Sequence, residues 1–72
     1  MPKLPAVSGR QLIQALQRDG FGIVRKKGSH VSLGKGSYHT VVPLHRDLSK
    51  GTLLGILKQC GLSKADLIKL LG

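Results

Sequence analysis

Acidic residues are scarce. Three aspartates are the whole acidic set, against 12 lysines and arginines, and the formal net charge is +9. A field that strong around so small a body suits a polyanionic partner. Nucleic acid comes first because each neutralised phosphate releases counterions, although an acidic protein or a membrane surface fits the charge alone. Cys60 is the only cysteine, so no intramolecular disulfide forms and nothing marks an oxidising compartment. Phe21 and Tyr38 are the only aromatics. With Phe21 placed in the core, too little remains to stack splayed bases, which predicts loose base preference. No apolar run is long enough to cross a bilayer, and Met1-Pro2-Lys3-Leu4-Pro5 lacks the apolar stretch of a signal peptide. Both point to a cytoplasmic protein that does not engage the membrane.

What is present supports one compact domain spanning residues 1–72, since 40% of the residues are apolar and 72 residues hold only the simplest architectures. A helix-start pattern occurs three times: an apolar residue, a serine, a polar residue three on, and another apolar residue. Val7-Ser8 with Gln11-Leu12 opens the first helix, whose Leu12, Ile13 and Leu16 share a face and which ends at Gly20. Leu48-Ser49 with Thr52-Leu53 opens the second, which runs through Ile56, Leu57 and Cys60 to a stop at Gly61. Leu62-Ser63 with Asp66-Leu67 opens a short third helix of one or two turns.

Between the first two helices the period changes to alternation. The pattern predicts strands over Phe21–Lys26, Ser29–Leu33 and Tyr38–Val42, with a turn at Lys27-Gly28, a second at Gly34-Lys35-Gly36-Ser37, and Pro43 ending the ladder. The expected architecture is α+β: helix, three-stranded antiparallel sheet, helix and a short C-terminal helix, with both main helices on one sheet face and the other face open.

Strict alternation sends Val31 and Leu33 to the core and His30 and Ser32 to the open face. His30 follows the Gly28-Ser29 turn beside Arg25, Lys26 and Lys27, cations that draw in phosphate. An imidazole accepts and donates protons near neutrality, as cleavage of RNA by its own 2′-hydroxyl requires. From spacing alone the plainer reading, a polar residue on an exposed strand, is the stronger one. A zinc site built from His30, His39, His45 and Cys60 has none of the usual paired-ligand spacings, and a cysteine in an apolar helix is better read as a small core residue. Gly34-Lys35-Gly36-Ser37 lacks the upstream glycine of a phosphate loop and joins two strands, so it is a turn. His39 has no motif around it, and Lys58, Lys64 and Lys69 read as solvated helix faces.

Several blocks together carry more information. Gly20-Phe21, then Arg25-Lys26-Lys27-Gly28-Ser29-His30, then Val42-Pro43-Leu44-His45, then Lys50-Gly51-Thr52-Leu53 and Ile56 through Ser63 follow one another in an order and spacing that resembles the HicA family of messenger-RNA interferase toxins. The resemblance covers nearly the whole chain. It implies a double-stranded-RNA-binding-domain-like helix-strand-strand-strand-helix fold and cofactor-free, metal-independent endonuclease action on messenger RNA. It also implies a HicB-like antitoxin partner that covers the active site. The family's catalytic histidine follows a Gly-Ser pair, which falls on His30, and this reverses the plainer reading of that residue.

On this footing Arg25, Lys26, Lys27, Gly28, Ser29 and Lys50 are the expected RNA contacts, with a helix N-terminus adding its attraction for anions. His45 matches the family pattern as a second proton carrier or a substrate-orienting residue, and is equally well read as a loop histidine bonding backbone before the second helix. Two other classes compete. A non-catalytic RNA-binding domain of the same fold would read duplex shape through phosphate and 2′-hydroxyl contacts, and a protein-binding adaptor would hold an acidic partner with no salt-sensitive RNA affinity.

Overall fold

Three serines start three helices in the computed structural model, which describes residues 3–72. Helix α1 (Gly9–Arg18) follows Ser8, which accepts the Gln11 N–H at 3.1 Å while its own N–H donates to Gln11 Oε1 at 2.9 Å. Helix α3 (Lys64–Leu71) repeats this reciprocal cap with Ser63 and Asp66. Helix α2 (Lys50–Cys60) departs from it. Ser49 accepts the Thr52 N–H at 3.2 Å and donates to the Thr52 hydroxyl at 2.9 Å, so the expected box is one-sided, because threonine is too short to reach back to the Ser49 N–H. Helices α1 and α2 end alike: Phe21 N–H donates to Leu16 O and Leu62 N–H to Leu57 O, both at 2.9 Å, just past Gly20 and Gly61. These are Schellman ends, each with an apolar residue returned to the core.

The Asp66 carboxyl is held below its ordinary value of 3.8 by the Ser63 backbone N–H, then by the Ser63 hydroxyl. The lowered value means this cap is fully in place above the ordinary value and is lost as pH falls through the lowered one. Acid should therefore fray α3. Ser63→Ala should return the Asp66 titration part of the way toward 3.8, read by carbon NMR of the carboxyl; an unchanged midpoint would remove the hydroxyl from the account.

The strands are β1 (Gly22–Lys27), β2 (His30–Lys35) and β3 (Tyr38–Pro43), in one antiparallel sheet of order β1-β2-β3. The third strand starts at Tyr38 as the alternation reading has it; the other boundaries differ from it by a residue or two, and the turns explain why. Lys27 pairs with His30 and Lys35 with Tyr38, leaving only Gly28-Ser29 and Gly36-Ser37 as loop residues. Gly28 has φ +58° and Gly36 +59°. A positive φ at the first central residue, with a second residue that is not left-handed, is the glycine-first turn whose twist matches that of the strands. Gly34 and Lys35 therefore stay in the ladder. Pro43 also belongs to it: Pro43 faces His30, and the next bond runs from Leu44 N–H to Ser29 O at 2.6 Å. That makes His30 and Pro43 a non-hydrogen-bonded pair, where a missing N–H costs nothing.

Helices cover one face. Val31, Leu33 and Val42 point into a core with Leu12, Leu16, Phe21, Leu53, Ile56, Leu57 and Leu67, each fully buried leucine contributing roughly 1.5–3 kcal/mol. Helix α2 packs on β3, while α1 packs on β3 and α3. Thr40 is the one buried polar side chain among the described residues, and its hydroxyl donates to Gln59 Oε1 at 2.7 Å. Cys60 is a core residue, its thiol pushed up to about 11 by burial and secondarily by the Asp19 charge. That leaves it without nucleophilic character at neutral pH. No helix among the described residues is long and apolar enough to cross a membrane.

Candidate active site

The uncovered sheet face is set by a bulge. Ile23 faces Leu33 and Arg25 faces Ser32, so Val24 is an extra residue in the edge strand. Unbroken alternation from Phe21 would have turned Arg25 and Lys27 under the helices. The bulge brings both to the open face instead, across from Ser32 and His30. Val24 lies there too, its Cγ2 3.4 Å from where a side chain on Gly34 would begin.

His30, at the first position of β2, is exposed between Lys27 on one side and Pro43 on the other. Gly28 and Ser29 form the turn that delivers it, and the Ser29 carbonyl is pinned by Leu44 N–H. The structure thus brings Arg25, Lys27, Gly28, Ser29 and His30 together on one face and its rim. Lys26 is not among them. It faces Val31, whose side chain is in the core, so Lys26 sits on the helix side of the edge strand. Lys50 stands in the first turn of α2, exposed, in the helix layer.

His30 and His45 flank the Ser29–Leu44 bond, His30 at the first position of β2 and His45 in the loop after β3. The His45 carbonyl accepts the Gly9 N–H at 2.9 Å, which ties the loop after β3 to the start of α1, and Leu48 N–H bonds Val7 O at 3.0 Å. His45 then lines a half-open cleft of about 470 Å³ with Ser8, Arg10, Leu44 and Arg46. Sequence reasoning passed over Arg10 and Arg46. The one signal for them was their charge, which many other residues share, and only the tertiary fold places residue 10 beside residue 46. His39 pairs with Gly34 at the other end of the sheet, and among the described residues no three His, Cys, Asp or Glu side chains gather into a cluster able to hold a metal ion.

Exposed imidazole, flanking cations and a face that no element among the described residues covers suit proton transfer on a phosphodiester. A family model described as "HicA toxin of bacterial toxin-antitoxin" matches residues 9–62, from the first residue of α1 to the Schellman end of α2. No curated protein matches the chain.

Proposed function

The chain belongs to the HicA toxin family of bacterial toxin-antitoxin systems, and on that premise we propose that it is a messenger-RNA endoribonuclease with His30 as its catalytic residue. The observation that carries the reading is the placement of His30 at the mouth of a tight turn, on the open face, with Lys27 and Arg25 turned to the same face by the Val24 bulge.

In the proposed reaction the His30 imidazole takes the proton of a ribose 2′-hydroxyl. The 2′ oxygen bonds to the adjacent phosphorus and the bond from phosphorus to the 5′ oxygen breaks, giving a 2′,3′-cyclic phosphate and a 5′-hydroxyl. Water supplies the proton that the leaving oxygen takes up. Lys27 and Arg25 face the charge that grows on the non-bridging oxygens. The nucleophile is the substrate's own hydroxyl and the base is an imidazole, so the scheme needs no metal. His45, in the cleft with Ser8, Arg10 and Arg46, suits holding substrate better than exchanging this proton.

A toxin-antitoxin system implies an antitoxin. With a net charge of +9 the fitting partner is acidic, HicB-like, and seated over His30, where complementary charge speeds capture. The working compartment is the cytoplasm, where messenger RNA is found. Purified protein incubated with messenger RNA in excess EDTA should yield fragments whose 5′ ends are phosphorylated by a kinase without prior phosphatase treatment. Intact RNA would leave the non-catalytic RNA-binding domain as the better reading, and cleavage only on adding metal would overturn the mechanism.

A further inference from the structure

Resting on the ribonuclease reading for its ligand, we propose that the cleft between the start of α1 and the loop after β3 is a second RNA phosphate subsite, holding the backbone outside the bond that is cut. Five residues line it: Ser8, Arg10, Leu44, His45 and Arg46. Three carry or can carry positive charge, and none is acidic. Among the described residues the one ion pair is Lys35 with Asp19, so neither Arg10 nor Arg46 makes an ion pair with a carboxylate.

The cleft is built rather than incidental. Its two walls are far apart in sequence and are joined by Gly9 N–H to His45 O and by Leu48 N–H to Val7 O. Gly9 is buried against the Pro43 carbonyl so closely that any Cβ there would overlap it. That flush seat sets Arg10 beside His45 and Arg46. Arg10 also lies in the first turn of a helix with no acidic residue there, where its charge opposes the helix dipole. An anion between the two guanidinium groups relieves that opposition, and their planar forks match phosphate oxygens in pairs. The choice of RNA over an acidic protein segment follows from position. One backbone bond, Leu44 N–H to Ser29 O, separates this wall from the turn that carries His30. A strand laid on His30 continues into the cleft around that edge, and about 470 Å³ is within the range of small-ligand sites.

The test measures binding of a short, fluorescently labelled 2′-O-methyl RNA, which cannot be cleaved because it lacks the attacking hydroxyl. The proteins are wild type, the double variant Arg10→Gln/Arg46→Gln, and a control with the same charge change on α3, Lys64→Gln/Lys69→Gln. The expected result is an affinity weakened by about tenfold or more in the first variant beyond that in the control. The plot of log affinity against log salt should be shallower by about 0.7 for each phosphate that the variant no longer neutralises. Cleavage of a dinucleotide, whose single phosphodiester is the one that is cut and which has no second phosphate for the cleft, should keep its kcat. Equal affinity and salt slope in the two variants overturns the proposal. So does a defect confined to binding an acidic peptide. Wild-type protein that binds RNA through Arg10 and Arg46 but cleaves none would leave the subsite standing while the ribonuclease reading falls.

Discussion

Replacing His30 with alanine is expected to lower RNA cleavage by about 10²- to 10⁴-fold, the usual worth of a positioned proton carrier, while RNA affinity and thermal stability stay near those of the wild type. The side chain stands on the open face, so its removal takes nothing from the core. Its neighbour Val31, which does belong to the core, is untouched. His30→Gln keeps polarity and much of the volume but cannot shuttle a proton, and it should be as inactive as the alanine variant. Expressed from a tightly repressed promoter, wild type should arrest growth and fragment messenger RNA, and neither variant should. Full activity in His30→Gln would show that the imidazole only fills space. Wild type and both variants that bind RNA alike and cleave none would make the chain an RNA-binding domain.

Elements with local causes were legible in the sequence. A serine oxygen bonding an N–H three residues on is a short-range event, so Ser8, Ser49 and Ser63 marked the helix starts where they occur. Alternation in Val31 and Leu33 likewise fixed the open side of β2, and with it the exposure of His30. The Val24 bulge was not legible, because an extra residue in an edge strand leaves the composition of the run unchanged and shows itself only in pairing. It decides the site: without it Lys26 would face outward and Lys27 inward, which is why reading the three neighbouring cations as one patch misplaced Lys26. The cleft was illegible for a different reason. Arg10 and Arg46 come to line one cleft through two backbone bonds between segments far apart in the chain, and nothing local to either residue announces the other.

Gly9→Ala is expected to cost about 3 kcal/mol, the upper end of what overpacking a well-filled site costs, and to lower the melting temperature by roughly 12–24 °C in a domain of this size. Alanine is normally the better helix former, so the sign depends on space alone. At Gly9 the added methyl would overlap the Pro43 carbonyl oxygen and stand 3.0 Å from Leu44 Cα, and both are backbone atoms that cannot turn aside. Relief requires α1 to lift from the loop after β3, which breaks Gly9 N–H to His45 O and parts the walls of the cleft. At temperatures where the variant is folded it should therefore bind RNA more weakly than wild type while still cleaving a dinucleotide at His30. Gly55→Ala in α2 is the control, since nothing lies within 4 Å of a Cβ there and the exposed helical site should gain about 0.5–1 kcal/mol. Thermal melts followed by circular dichroism separate the two: opposite shifts support the flush seat, whereas a Gly9→Ala protein that melts with or above wild type would mean that α1 and the loop are not locked together and that the cleft has no fixed walls.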